Sequence, residues 1–232
     1  MKIKSFGCSF IYGSELQVNL KENNCIGDPL SYDTWPAIVA DYYQVKFENY
    51  AWPGIGNLRI LEQILTQAEL KDPAFFIIGW TWLDRFDFIN PGTENWDTLC
   101  PGGNTELHKI HYKYFYHQYH TMLTNASYIS TAINVLNSKN IPFCMTLMDN
   151  TLFDPINPNW QDPYALKILQ RSVKPCITWF DNMDFLSWSR KNNYPISEKW
   201  HPLEEAHVAA SKYMIKVFDK QNTNGLIQQA HV

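Results

Sequence analysis

The sequence predicts an α/β protein, a three-layer α/β/α sandwich in which helices cover both faces of a central, mostly parallel sheet. Short apolar segments typical of strands alternate with amphipathic segments typical of helices along the chain. One run, PAFFIIGW at residues 73–80, is almost entirely apolar, as expected for a strand buried on both faces. The 232 residues, 45% of them hydrophobic, can form one core, so we expect a single domain over residues 1–232.

The first half of the chain has the order strand, helix, strand, helix, strand. Residues 33–43 predict a helix because Asp33 or Thr34 can cap it and Pro36 lies near its first position. Residues 57–70 predict a second helix because their leucine and isoleucine side chains fall on one helical face. The three strands are predicted at residues 2–6, 45–51 and 73–80.

The second half continues this alternation after a polar segment with proline and glycine at residues 90–105. It predicts a long helix at 106–138 that is broken once, a strand at 141–148, a loop at 149–162, a helix at 164–172, a short strand or extended segment at 176–180 and a helix at 203–219. Open parallel sheets form their sites beyond the carboxyl ends of the strands. Ser9, Gly54, Thr81 and Asp149 each follow a predicted strand, so we expect them at one edge of the sheet.

Composition excludes several classes of function. Nineteen basic and 23 acidic residues give a net charge of -4 without a block of like charge, so we expect no nucleic-acid partner. No segment approaches the roughly 18 apolar residues of a membrane span, and the start lacks the apolar core of a signal peptide. The five cysteines are spread without a Cys-x-x-Cys pair, which disfavours a disulfide framework or a zinc knuckle. We therefore expect a soluble, cytoplasmic protein without a membrane partner.

Four short motifs carry a resemblance to a known superfamily. GCSF follows the first predicted strand, NYAWPGIGN the second and IIGWTW the third, while EKWHP precedes the last predicted helix. In these motifs and their order the chain resembles the SGNH (GDSL-like) hydrolases, and the resemblance spans nearly the whole sequence. It implies a flavodoxin-like α/β/α fold and ester hydrolysis by a serine nucleophile, with no metal and no organic cofactor.

The resemblance implies that Ser9 attacks the acyl carbon and that His201 is the general base. A serine hydroxyl is too weakly acidic to attack unaided, and histidine is the side chain best suited to accept its proton near neutral pH. The family places a carboxylate three residues before the histidine, where this chain has Glu198 instead of the usual Asp. Asp181 and Asp184, upstream in the same segment, are alternative carboxylates.

The resemblance also implies an oxyanion hole, a set of donors for the negative charge that develops on the substrate oxygen. Ser9 and Gly54 would each supply a backbone N–H group. The third donor of the family is an Asn side chain, and Thr81 stands at that position with a hydroxyl in place of an amide. Asn57 or a loop amide is the alternative third donor.

Substrate contacts are predicted from aromatic and charged residues near these motifs. Trp80 and Trp200 can stack on a sugar ring. Arg85 can bind a substrate carboxylate or phosphate, or form an ion pair with Asp84 or Asp87. The predicted substrate-binding residues are Asn57, Trp80, Arg85 and Trp200.

Two groups of histidines invite other interpretations. His108, His111, His117 and His120 form two i, i+3 pairs, but no carboxylate or cysteine lies at a helpful helical spacing among them. Because tyrosines and a phenylalanine are interleaved, we predict a packed amphipathic face there instead of a metal site. His207, inside the last predicted helix, is expected to have a capping or packing role.

The sequence therefore predicts a serine esterase that removes an acyl group, such as acetyl, from a carbohydrate or another small ester. A second hypothesis is a catalytically weakened glycan-binding module that retains the cleft, supported by the missing Asn of the third motif. A third is a structural or assembly protein that uses the fold as a scaffold. The oligomeric state is left open.

Overall fold

A four-stranded parallel sheet forms the centre of the computed structural model, which describes residues 2–16, 33–70, 72–155, 157, 159–160 and 163–222. The strands are β1 (Lys2–Gly7), β2 (Lys46–Asn49), β3 (Ala74–Trp80), β4 (Phe86–Asn90), β5 (Asn95–Leu99) and β6 (Phe143–Leu147). The sheet has the order β2-β1-β3-β6, and β4 and β5 form a separate antiparallel hairpin. The predicted α/β class is confirmed. Cys25 lies outside the described residues.

Helices flank this sheet in two groups. They are α1 (Ser9–Tyr12), α2 (Trp35–Tyr42), α3 (Asn57–Glu69), α4 (Glu106–Ile110), α5 (Gln118–Ser138), α6 (Tyr164–Val173), α7 (Phe185–Lys191) and α8 (Glu204–Asn222). Helix α2 packs against α8, while α3 and α6 both pack against α5. Every residue of β3 is buried, and because successive side chains of a strand point to opposite faces, both faces of the sheet are covered. None of the described helices has the length and apolar character needed to cross a membrane.

The β4–β5 hairpin and α7 were not predicted, whereas two other segments agree with the sequence-based expectation. The polar segment 90–105 includes β5 and the turn of the hairpin. The long helix is broken as expected, by a π-helical turn at His111–Phe115, after which α5 begins at Gln118. The extended segment at 176–180 contributes a single parallel bridge between Met145 and Ile177, and α7 follows it without having been predicted.

A close contact at the carboxyl ends of β1 and β3 positions α1. Gly7 and Gly79 are paired across these strands. A Cβ atom on Gly7 would lie 2.6 Å from Ile11 Cγ1, and one on Gly79 would lie 2.5 Å from the same atom. Real Cβ atoms do not approach another carbon so closely, so only glycine leaves room for the Ile11 side chain. Helix α1, and Ser9 at its start, can therefore lie directly on the end of the sheet.

The hairpin is tied to α3 by a buried carboxylate. Asp87 accepts hydrogen bonds from the backbone N–H groups of Gly56 at 2.7 Å and Arg59 at 3.0 Å. These groups lie at the amino end of α3, where N–H groups have no partner within the helix. Thr98 Oγ1 donates a third hydrogen bond to Asp87 at 2.6 Å. The hairpin thus caps the helix that follows the second motif.

His207 has the structural role expected for it. Its ring is buried, and its Nδ1 atom accepts a hydrogen bond from the backbone N–H of Trp35 at 3.1 Å. Burial lowers the pKa of His207 to about 3, because an apolar environment disfavours the charged imidazolium. The neutral ring therefore caps the first residue of α2 and joins that helix to α8.

We predict that Gly79→Ala lowers the free energy of unfolding by about 1–3 kcal/mol, the usual cost of overpacking a core. Urea denaturation measures the change. Gly92→Ala is the matched control, because the nearest atom to its added Cβ is Asn90 Oδ1 at 3.4 Å. Adding Ile11→Ala to Gly79→Ala should cost less than the sum of the single variants, since the clash is then removed. Additive costs would contradict this explanation.

Candidate active site

The four motifs converge at the carboxyl ends of the central strands. Ser9 begins α1 directly after β1, and Thr81 directly follows β3. The neighbouring Phe10 ring packs edge-on against the His201 ring, with centroids 5.5 Å apart, so the first and last motifs are adjacent. Within the described part of the chain, the Ser9 hydroxyl has Cys8 Sγ as its hydrogen-bonding partner, at 3.8 Å, and does not bond to His201. The proposed nucleophile and base therefore share one cleft edge without a direct hydrogen bond.

The carboxylate that contacts His201 is Glu15. His201 Nδ1 and Glu15 Oε2 form a short hydrogen bond and ion pair. Ser197 Oγ donates to the same carboxylate oxygen at 2.5 Å and accepts from the His201 backbone N–H at 3.1 Å. Lys199 Nζ lies 3.8 Å from the other oxygen. These residues form a compact charged cluster around one edge of the imidazole.

The cluster keeps the Glu15 carboxylate ionised. The hydrogen bond from Ser197 lowers the pKa of Glu15 most strongly, and the hydrogen bond and charge of His201 and the charge of Lys199 lower it further. Glu15 therefore carries a negative charge near neutral pH. A carboxylate in this position holds the imidazole in one orientation and stabilises its protonated form.

Glu198, the carboxylate predicted from the fourth motif, does not lie beside His201. It is exposed, and it has no hydrogen bond or ion pair with any described residue. The turn that contains it closes with a hydrogen bond from Ser197 N to His201 O at 2.9 Å, and Trp200 within the turn has the left-handed φ of 71°. This local geometry places Ser197 at the histidine in place of Glu198.

The two alternative carboxylates are also engaged elsewhere. Asp184 caps α7 by accepting from the Ser187 N–H at 2.7 Å, and Asp181 accepts from Trp188 Nε1 at 3.1 Å. The sequence analysis missed Glu15 because this residue lies in the turn after α1, far from His201 in the sequence, and reaches His201 only through a tertiary contact. Its position shortly after Ser9 was the one feature of the sequence that could have suggested a role at the site.

Two backbone amides, those of Ser9 and Gly54, are the donors that the resemblance predicts for an oxyanion hole. The N–H groups of Ser9 and Gly54 donate no hydrogen bond to any described residue. Gly54 has a φ of 81°, in the left-handed region that favours glycine, and a Cβ atom there would meet nothing within 4 Å. Its carbonyl accepts from Cys100 Sγ at 3.6 Å, which fixes the loop. Both amides therefore remain available as donors.

Thr81 is held by a hydrogen-bonded clamp. Its backbone N–H donates to Asn57 Oδ1 at 2.8 Å, and Asn57 Nδ2 donates to the Thr81 carbonyl at 3.0 Å. Asn57 Nδ2 also donates to Asn125 Oδ1 at 2.7 Å. Both Asn57 and Thr81 are buried, and the Thr81 hydroxyl has no hydrogen-bond partner among the described residues. Asn57 therefore positions Thr81 and does not itself face the cleft.

The other predicted substrate-binding residues have different surroundings. Trp80 is 0% exposed within β3, so its predicted contact with substrate does not fit its place in the core. Trp200 is 55% exposed, and the Arg190 guanidinium lies 4.4 Å from its ring centroid. Arg85 is half-buried, lies 4.9 Å from the Trp82 ring centroid and donates to the Ile55 carbonyl at 2.9 Å. Arg85 forms no ion pair with Asp84 or Asp87 in the described structure.

The histidine-rich segment is less packed than predicted. Tyr112 and Tyr119 are half-buried, but Phe115 is 69% exposed and Tyr116 is 41% exposed. The prediction of a packed face is therefore wrong for these last two residues. Among the described residues, no group of three or more His, Cys, Asp or Glu side chains is arranged to hold a metal ion.

Comparison with solved structures identifies the fold. The psychrotrophic esterase EstA from Pseudoalteromonas sp. superposes with a TM-score of 0.53 at 13% sequence identity, over 96% of this chain and 98% of that chain. A putative lipolytic protein of the G-D-S-L family from Desulfitobacterium hafniense DCB-2 superposes with a TM-score of 0.51 at 14% identity, over 93% and 98% of the two chains. The chain has the fold of the GDSL (SGNH) hydrolases. No family model matches the sequence, and no curated protein matches it either.

Proposed function

We propose that the protein is a serine esterase in which Ser9 is the nucleophile, His201 the general base and Glu15 the acid that orients the base. The observation that carries this proposal is the hydrogen bond between Glu15 and His201 Nδ1, because it leaves the other ring nitrogen to accept a proton. The His201 ring packs on Phe10, the residue after Ser9. The proposed mechanism requires the Ser9 hydroxyl to form a hydrogen bond with the free ring nitrogen of His201, and catalytic hydrogen bonds often form only once substrate binds.

The proposed reaction has two steps. Ser9 Oγ attacks the ester carbonyl carbon while His201 takes its proton, and the N–H groups of Ser9 and Gly54 stabilise the oxyanion. The tetrahedral intermediate breaks its bond to the alcohol, which leaves with the proton from His201. Water, activated by His201, then attacks the acyl-serine and releases the acid. Throughout, the ionised Glu15 stabilises the imidazolium.

Two further observations support this proposal. Two structures that share the fold, each with a TM-score above 0.5, are an esterase and a putative lipolytic protein. The EstA structure is of an enzyme inhibited by monoethylphosphonate. The proposed substrate is a small acyl ester, with acetyl esters of carbohydrates as one candidate class, and no metal or organic cofactor enters the proposed chemistry.

A second candidate function is a glycan-binding module that has lost most of its activity. The observation that favours it is the third motif, where the Asn of the family is replaced by Thr81 and the hydroxyl is buried without a partner. Such a module would retain the cleft but hydrolyse esters poorly, since each oxyanion donor contributes roughly a hundredfold to a thousandfold in rate.

We expect Ser9→Ala to lower kcat for p-nitrophenyl acetate by about a thousandfold or more, because the residues of such a triad act as a unit. A phosphonate ester should label the wild type at Ser9, as judged by peptide mass mapping, and should not label the variant. Unchanged turnover in Ser9→Ala would show that Cys8 or a residue at another site is the nucleophile. Absence of hydrolysis by the wild type over a broad ester panel would favour the binding module.

A comparison of Glu15, which bonds to His201, with Glu198, which does not, gives a sharper test of the mechanism. Glu15→Gln should lower kcat at least about tenfold, because it removes the charge that stabilises the imidazolium while keeping the side-chain shape. Glu198→Gln is the matched control, since it makes the same change at an exposed position three residues before His201, and it should change kcat by less than about twofold. The reverse order of effects would reinstate Glu198 as the acid.

The role of Thr81 is tested by Thr81→Val, which keeps the shape of the side chain and removes the hydroxyl. If Thr81 is the third oxyanion donor after a local rearrangement, kcat should fall about tenfold or more with little change in KM. The melting temperature should stay the same or rise, because the variant removes a buried hydroxyl without a partner. Unchanged kinetics with a raised melting temperature would remove Thr81 from the proposed oxyanion hole.

A further inference from the structure

Ser197 lies in a tight loop before α8 that also carries the proposed base. An antiparallel bridge between Ile196 and Pro202 closes this loop. Inside it, Ser197 N donates a hydrogen bond to His201 O at 2.9 Å, and Ser197 O accepts one from Trp200 N at 3.0 Å. The main chain therefore holds Ser197 beside His201 through contacts that do not involve either side chain.

The Ser197 hydroxyl joins the main chain of the base to the side chain of the acid. Its Oγ accepts a hydrogen bond from His201 N at 3.1 Å and donates one to Glu15 Oε2 at 2.5 Å. His201 Nδ1 bonds to the same carboxylate oxygen. A serine hydroxyl has a single proton, and here that proton is committed to Glu15. The three residues thus form a closed ring of hydrogen bonds.

The Glu15 carboxylate depends on this ring for its position. Its side chain is 31% exposed and has several rotatable bonds, so the turn after α1 does not by itself fix the carboxylate. Among the described residues, the groups that bond to this carboxylate all belong to the loop before α8. A hydrogen bond to an ionised acceptor is roughly twice as strong as one between neutral groups. The bond from Ser197 is of that kind.

Lys199 also approaches Glu15, but its contact is weaker. Lys199 Nζ lies 3.8 Å from Glu15 Oε1, and 78% of the lysine side chain is exposed. Solvent screens an exposed ion pair of this kind, which contributes little to holding a side chain in place. Of the groups that face Glu15, namely Ser197, His201 and Lys199, Ser197 lowers the pKa of the carboxyl most strongly through its hydrogen bond. The orientation of the carboxylate therefore rests mainly on the serine.

We propose that Ser197 is a positioning residue of the esterase reaction, because its hydroxyl holds the Glu15 carboxylate against His201 Nδ1 and so keeps the other ring nitrogen directed at the proton of Ser9. The inference rests on the esterase function proposed above and assigns a further residue to its mechanism. Ser197 acts through Glu15 and His201 and is given no contact with the substrate. It stands directly before the fourth motif, EKWHP, which does not include it.

The first test removes the hydroxyl. Ser197→Ala should lower kcat for p-nitrophenyl acetate about tenfold with little change in KM, because a small misplacement of a catalytic group is costly. Ser197→Thr keeps a hydroxyl and should stay within about threefold of the wild type. Ser138→Ala is the matched control, since its hydroxyl bonds to the Val135 carbonyl at the exposed end of α5, and its kcat should be unchanged. Wild-type turnover in Ser197→Ala would overturn the inference.

A double-mutant cycle separates positioning from a general weakening of the loop. In a Glu15→Gln background, Ser197→Ala should lower kcat by less than about twofold, because the charge that it positions is already gone. A loop defect would instead lower kcat by the same factor in both backgrounds, and that result would contradict the proposed role. If Ser197→Ala does not fold, Ser197→Cys replaces it in the cycle, since a thiol has a similar shape and is a weak donor.

The pH dependence gives a readout that a structural role would not change. Because the hydrogen bond from Ser197 lowers the pKa of Glu15, Ser197→Ala should raise that pKa, and the variant should lose the carboxylate charge at a higher pH as the solution is acidified. The ratio of wild-type kcat to Ser197→Ala kcat should therefore grow between about pH 8 and about pH 5. In the Glu15→Gln background the same ratio should stay constant, and a ratio that grows there too would overturn the inference.

A measurement without substrate distinguishes failure of this inference from failure of the esterase proposal. If the wild type hydrolyses no ester, the esterase proposal fails, and carbon NMR of the Glu15 carboxyl then tests the contact alone. The pKa of Glu15 should be higher in Ser197→Ala than in the wild type and unchanged in Ser138→Ala. Equal values in all three proteins would show that Ser197 does not hold the carboxylate.

Discussion

The contact of Ile11 with Gly7 and Gly79 is the constraint on which the rest of the site depends. The two glycines face each other in adjacent strands, and one isoleucine side chain fills the space above both. Because that space exists, α1 begins directly at the end of the sheet and the first motif's serine lies at its edge. The loops after β2 and β3 then only need to reach the same edge, which parallel strands guarantee.

The proposed base and its carboxylate partner, His201 and Glu15, lie on two turns that are distant in the sequence. Glu15 lies just after α1 with a φ of 67°, and His201 follows Trp200, which has a φ of 71°. Non-glycine residues adopt such left-handed conformations uncommonly, and they persist where surrounding contacts hold them. Here Ser197, Glu15 and His201 bond to one another across the two turns. The charge of the cluster and the shape of the turns therefore depend on each other.

The sequence predicted the parts of the fold whose signals are local. The four central strands and the major helices were predicted from the periodicity of hydrophobic residues, from capping residues and from apolar runs such as β3. All these signals lie within the segment that they predict. The hairpin was missed because its strands are short and mix apolar with polar residues, and because it gains order from Asp87, which bonds to α3. The serine and histidine follow from short motifs. Glu15 and the burial of Trp80 do not, because both depend on which segments meet in space.

The clamp that Asn57 places on Thr81 has a consequence for how such a site can diverge. Because Asn57 bonds to both the N–H and the carbonyl of residue 81, the position of this backbone does not depend on the side chain that residue 81 carries. A lineage can therefore exchange the chemistry at this position while the loop around it stays in place.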